Sequence, residues 1–323
     1  MAKAIRIHKN GGPEVLRYED VDIGDPGLGE VRIKQTACGL NFIDVYHRTG
    51  MYPLDLPATI GLEAAGTIDA IGDEVSEFKV GDRVAYAAVP IGAYTDHRII
   101  PAHRIVKLPD SISEIQGAAM MLQGMTVEYL IRRTYEVKAG DTVLLHAAAG
   151  GVGLIACQWL KQLGATIIGT VGSEEKAALA KANGCDHTIF YNSEDVAKKV
   201  RDITDGKGVP VVYDSVGAST FEGSIDSLAP RGVFVSFGAA SGPVPPFEPA
   251  VLAQKGSLYF TRPTLMTYTA ERADLVESAN ALFAAVAKGV KIEVNQTYAL
   301  SDTAEAHRAL EARETTGSTV LIP

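Results

Sequence analysis

The stretch LLHAAAGGVGLIACQWLK, residues 144–161, constrains this chain more than any other. An apolar run enters a turn of small residues, and a helical apolar pattern leaves it. Ala147, Gly150 and Gly153 fall at the spacing A-x-x-G-x-x-G. With almost no side chains in the way, the backbone N–H groups of Ala149, Gly150, Gly151 and Val152 can approach a pyrophosphate, and the helix N-terminus adds about half a positive charge. Gly153 lets that helix pack closely on the sheet. A lone motif of this kind is weak. A strand before it, a helix after it and further strand–helix units downstream together predict a dinucleotide site.

Those units are legible. From about residue 139 strands and helices alternate: TVLLH (142–146), a helix over 151–163, TIIGTV (166–171), a helix over 173–183, HTIFY (187–191), a helix over 193–204, VPVVYDSV (209–216), a helix around 218–228, GVFVSFG (232–238) and GSLYFTRPTL (256–265). This rhythm predicts a doubly wound parallel sheet, the Rossmann arrangement. Residues 1–124 read differently, as short strand-like runs such as AIRIH, EVRIKQTA and AAGTIDAIG separated by Gly and Pro. A helix at 270–288, a strand near KIEVNQTYAL, a helix around 302–313 and a closing STVLIP follow. The two patterns point to a mainly β region over residues 1–124 and a dinucleotide-binding region that follows it.

The second strand of the sheet decides which dinucleotide. A site selective for NAD ends that strand with an acid that bonds the ribose 2′-hydroxyl and repels a 2′-phosphate. Here it runs out through GTVGSEEK, with no acid at its end. Gly172 and Ser173 open a helix, Lys176 lies in its first turn, and Tyr191 ends the third strand. Helix N–H groups, a hydroxyl, an ammonium and a phenol suit a 2′-phosphate, so the expected cofactor is NADPH. Glu174 and Glu175 run against this, but they read as ordinary first-turn charges.

Composition excludes several classes. The net charge of −9 and the lack of a long basic run argue against nucleic acid as a main partner. No apolar stretch reaches the ~20 residues of a spanning helix, and the N-terminus has no secretory pattern, so the cytoplasm is the expected location. Cys38, Cys157 and Cys185 are too widely spaced for a zinc cluster or a disulfide framework.

GDTVLLHAAAGGVGLIACQWLK resembles the signature of the quinone oxidoreductase, or zeta-crystallin-like, branch of the medium-chain dehydrogenase/reductase superfamily. GGPEVL (11–16), NFIDVYHRTGMYP (41–53), GLEAAG (61–66), GDRVAY (81–86), VVYDSVG (211–217), GSLYFTRP (256–263) and GSTVLIP (317–323) extend the resemblance along the chain, which comes closest to bacterial NADPH:quinone reductases. It implies an α/β protein: a GroES-like catalytic domain, mainly β and built from both chain ends (1–124 with 267–323), around an inserted Rossmann NADPH-binding domain (125–266). It also implies a homodimer or homotetramer joined through the Rossmann sheets. By resemblance, Thr126 contacts the nicotinamide side; Ser215, Phe237, Gly238 and Ser241 line the cofactor channel; and Arg262 and Arg313 are candidate cofactor contacts.

Zinc-dependent relatives carry a Cys and a His ligand where this chain has Asn41 and Leu62, residues that do not suit zinc. Without a Lewis acid, acceptors that take hydride readily are favoured, namely quinones or double bonds conjugated to a carbonyl. Asn41, Tyr46 and Tyr52 are the candidate catalytic residues. An amide can orient the nicotinamide ribose or donate to a carbonyl oxygen, and a phenol can donate to a developing oxyanion. His47, His97 and His146 have no triad or metal spacing and read as structural. The expected activity is NADPH-dependent quinone reduction. Enone or alkenal reduction is the alternative, and a non-catalytic NADPH- or RNA-binding crystallin-like role is a third reading.

Overall fold

A computed structural model describes all 323 residues, and the chain divides into two compact units. The first comprises Met1–Met125, Thr269–Phe283 and Ile292–Pro323; the second comprises Thr126–Tyr268 and Ala284–Lys291. The expected breaks after 124 and 266 fall after 125 and 268. Residues 284–291, expected in the first domain, belong to the second. The reason is local: Gln158 exchanges two hydrogen bonds with the Lys291 backbone (3.0 and 2.7 Å), and Gln162 donates to the Lys288 carbonyl at 3.2 Å.

The first unit is built on strands β1 (Ala2–Ile7), β2 (Arg17–Val21), β3 (Glu30–Leu40), β4 (Ala58–Thr59), β5 (Glu63–Ile71), β6 (Arg83–Ala87), β7 (His97–Pro101) and β8 (Val106–Lys107), with helices α1 (Phe42–Thr49), α2 (Glu114–Ala118) and α3 (Met121–Tyr129), the last running on past residue 125. Antiparallel pairing of β3 with β5, and of β5 with β6, forms its centre. Along β3 burial alternates over the first residues and then becomes continuous, so its far end is covered on both faces. Ile5, Ile33, Ile68, Tyr94 and Leu321 belong to one apolar core. No helix was expected at 42–49, yet one forms: the Asp44 carboxylate accepts the Asn41 backbone N–H at 2.9 Å, and Gly50 closes the helix at φ +82°. The strand β2 was likewise unexpected.

The second unit holds β9 (Thr142–Leu145), β10 (Thr166–Val171), β11 (His187–Phe190), β12 (Val209–Asp214), β13 (Leu228–Ser236) and β14 (Tyr259–Thr261). All five pairings are parallel, in the order β11-β10-β9-β12-β13-β14. Helices α4 (Gly151–Gln162), α5 (Glu174–Ala182), α6 (Val196–Ile203) and α7 (Phe221–Ser227) connect successive strands, which is the expected doubly wound sheet. The predicted sixth strand is only three residues long, because Pro263 cannot donate to a ladder and a short helix starts at Leu265. Strands β15 (Val294–Ala299) and β16 (Ser318–Ile322) return to the first unit, β16 pairing with β3. No helix is long and apolar enough to cross a membrane.

Candidate functional site

In the second unit the glycine turn adopts the shape its sequence predicts. Ala147 takes a left-handed φ of 55° and Gly150 caps α4 in an extended conformation. A Cβ on Gly153 would run into the Ala147 carbonyl, whereas one on Gly150 would meet only that same oxygen, at 3.3 Å. The turn is therefore tight inward and open outward, as a phosphate cradle must be, with Ala149, Gly150, Gly151 and Val152 at the helix start.

Beneath it lies a buried polar chain. The Ala147 N–H donates to Thr170 Oγ1 (3.3 Å), which lies 3.0 Å from His146 Nδ1. His146 Nε2 is 2.9 Å from Ser224 Oγ, and that hydroxyl donates to Asp214 Oδ2 at 2.8 Å. Asp214 also accepts from Thr220 Oγ1 and from the N–H groups of Val216 and Gly217. Ser224, His146 and Asp214 have a triad's composition, but they are at most 2% exposed. No substrate can reach them. Burial lowers the His146 pKa, so the ring is neutral and shapes the backbone.

Past the end of β10, Gly172 lies against the Tyr191 ring and Ser173 opens the helix that carries Lys176. A Cβ on Gly172 would sit 2.6 Å from the Tyr191 hydroxyl. Ser173 caps α5, its oxygen accepting the Lys176 N–H at 3.3 Å. The Ser173 hydroxyl also holds Glu175 below the usual carboxylate range, and Glu174 and Glu175 are exposed. Further along the sheet, Ser215, Phe237, Gly238 and Ser241 cluster past β12 and β13. Phe237 N–H donates to the Asp214 carbonyl, Ser241 Oγ to the Val216 carbonyl, and a Cβ on Gly238 would collide with Ser215. Arg262 donates to the Ser236 carbonyl at 3.0 Å. Thr126 is buried and bonded to Tyr129.

In the first unit Asn41 is 5% exposed and stands at the N-cap of α1. Its Nδ2 donates to Glu63 Oε2 at 2.6 Å, and its Oδ1 accepts from Gln123 Nε2 at 3.2 Å. Tyr46, also buried, meets Tyr52 edge-on with ring centres 5.3 Å apart. Arg313 is exposed just past the helix Thr303–Glu311, at a left-handed φ of 61°. Sequence reasoning passed over Glu63 and Gln123. The one available signal was an acid set in the apolar run GLEAAG with no basic neighbour.

Glu63 and Asp44 are both fully buried, which pushes their carboxyls up to about 8 and about 7, respectively. Tyr94 donates to Asp44 Oδ2 at 2.7 Å and lies 3.5 Å from His307 Nε2. Arg48 lies 3.0 Å from His307 Nδ1 and forks onto Glu311. Burial and the neighbouring guanidinium push His307 down to about 3. Burial lifts the Cys38 thiol to about 12, and it donates to the Ala93 carbonyl.

A parallel-sheet nucleotide domain together with an antiparallel β domain built from both chain ends defines the medium-chain dehydrogenase/reductases, which are oxidoreductases. Residues 27–110 match the alcohol dehydrogenase GroES-like domain family and residues 151–284 the zinc-binding dehydrogenase family. A quinone oxidoreductase of Pseudomonas aeruginosa is 54% identical over the full length of both chains. The crystal structure of Escherichia coli quinone oxidoreductase complexed with NADPH superposes with a TM-score of 0.98 at 48% identity, again over both whole chains. A 2-haloacrylate reductase of Burkholderia is 45% identical over all of this chain and 99% of its own. The chain belongs to the quinone oxidoreductase family. Its residues do not fit the zinc of the matched family: no three His, Cys, Asp or Glu side chains are grouped to hold a metal, Asn41 is engaged by Glu63 and Gln123, and Leu62 is apolar.

Proposed function

We propose that this protein reduces quinones with NADPH. The observation that carries the cofactor choice is the end of β10, which carries no acid and has Gly172, Ser173 and the Tyr191 hydroxyl beside it, with Lys176 in the next helical turn. When bound, NADPH supplies a hydride. The chain's own part is to bind, orient and hydrogen-bond. Ala149, Gly150, Gly151 and Val152 hold the pyrophosphate on the α4 N-terminus. Thr126, Ser215, Phe237, Gly238, Ser241, Arg262 and Arg313 line the rest of the cofactor. Asn41 orients the nicotinamide ribose or the acceptor carbonyl, and the hydroxyls of Tyr46 and Tyr52 donate to the oxygen that becomes negative. The quinone acceptor is supported by the named activity of the full-length relatives. Two copies pair along β14, a free sheet edge on which Tyr259 is 62% exposed.

Reduction of an activated carbon–carbon double bond is the second reading, favoured by the likeness to the haloacrylate reductase. NADPH consumption with 1,4-benzoquinone, phenanthrenequinone and a short alkenal separates the two; turnover of the alkenal alone overturns the first. Lys176→Ala is expected to weaken NADPH binding by about 1.5–3 kcal/mol and to spare NADH. Equal loss for both nucleotides would remove Lys176 from the site.

A further inference from the structure

We propose that Glu63 is a positioning residue that acts through Asn41, its charge selecting which end of the Asn41 amide is presented to the reacting molecule. This rests on the role given to Asn41 above and extends it.

The geometry is one-directional. The Ser318 hydroxyl lies 2.8 Å from Gln123 Oε1 and 2.8 Å from the Ala119 carbonyl, so it faces acceptors only. Gln123 turns its Nε2 to Asn41 Oδ1, and Asn41 turns its Nδ2 to Glu63 Oε2. The chain ends on a carboxyl that is 0% exposed and accepts three hydrogen bonds: from Asn41 Nδ2, from the Leu122 N–H at 2.8 Å and from the Met121 N–H, the last two at the start of α3. No lysine, arginine or histidine pairs with it. Room for the carboxyl is made by Gly39, where a Cβ would collide with Glu63 Oε2 and the Ala118 carbonyl.

An ionised carboxylate only accepts hydrogen bonds. Reversing the Asn41 amide would set Oδ1 against Oε2 and Nδ2 against Nε2, four like groups in two repulsive contacts. The charge therefore locks the amide with one Nδ2 hydrogen on Glu63 and the other available for a ligand. A glutamine at 63 would not hold this arrangement. Its single oxygen is claimed by the two main-chain N–H groups, so its amide nitrogen turns to Asn41, which must then present Oδ1.

The titratable groups that interact with Glu63 are Asp44 from α1, Tyr86 from β6, and Tyr94. Burial raises the Tyr86 and Tyr94 values far enough to keep them neutral, which leaves Asp44 as the one of these that titrates near neutrality. Raised by burial, Glu63 gains its charge as the pH rises towards about 8.

The test is a double-mutant cycle with NADPH and 1,4-benzoquinone. Above pH 8, where Glu63 is charged, Glu63→Gln is expected to lower kcat/KM about tenfold, the effect of one charge-assisted hydrogen bond, and to lower it no further in an Asn41→Ala background. The rise of kcat with pH is expected to lose its limb near 8 in Glu63→Gln and in Asn41→Ala, and to keep it in Asp44→Asn. Full activity in Glu63→Gln beside a damaged Asn41→Ala overturns the proposal and leaves the role of Asn41 standing, as do losses that multiply in the double variant. Full activity in Asn41→Ala overturns both. Should Glu63→Gln fail to fold, an unchanged limb near 8 in Asn41→Ala also overturns it.

Discussion

Each unit holds a buried hydrogen-bond chain that ends on a carboxyl, and the two are finished differently. In the second unit, Asp214 takes four donors on its two oxygens, and the chain above it fixes Thr170, His146 and the Ala147 turn without an orphan. In the first unit, Asp44 Oδ1 and His47 Nδ1 are buried without a partner, and Asn41 has hydrogen-bonding capacity to spare. A closed network shapes backbone, and here it holds the Ala147 turn at the start of α4. An incompletely satisfied network costs stability and leaves polar atoms for another molecule.

The sharpest way to break this comparison is Asp214→Ala, which strands two hydroxyls and two backbone N–H groups in the interior. A loss of about 4 kcal/mol is expected, together with loss of NADPH binding, read by thermal unfolding and nucleotide titration. If the variant keeps wild-type stability, the second network is not the scaffold described here. Gly39→Ala comes next. Its Cβ meets a main-chain oxygen and the Glu63 carboxyl, so about 1–3 kcal/mol of stability should go, with activity falling more than nucleotide binding. An unchanged melting temperature and activity would show that the Glu63 surroundings yield easily.

The remaining test concerns pH. His307 is held near 3 in the folded chain against about 6.5 unfolded. Between those values the unfolded state binds more protons, so this group's contribution to stability is full above pH 6.5 and is lost as the pH falls towards 3. Glu63 and Asp44 act in the opposite sense: the folded chain keeps their protons up to about 8 and about 7, so stability falls as pH rises from about 4. Thermal melts from pH 4 to 7 should therefore show a shallower acid loss in His307→Gln than in the wild type. Identical slopes would remove His307 from the account.

Much of the second unit was readable because parallel strands buried on both faces are continuous apolar runs, and because Gly172, Ser173, Lys176 and Tyr191 lie at strand and helix ends that local pattern marks. The first unit was less legible. Helix α1 hides in a segment that mixes aromatic, charged and β-branched residues, although Asn41 and Asp44 stand at capping positions. Residues 284–291 were misplaced because two glutamine side chains on α4 decide where they pack.

The sequence by itself determined the glycine turn, the parallel sheet and the missing acid, since each depends on periodicity, turn chemistry or one residue at a strand end. Tertiary structure alone decided that Glu63, Gln123 and Ser318 gather around Asn41. Glu63 and Asn41 are 22 positions apart, Gln123 and Asn41 82, and Ser318 and Gln123 195. Over such separations no local pattern records a partner. Packing brings the groups together, and burial then gives each hydrogen bond its weight.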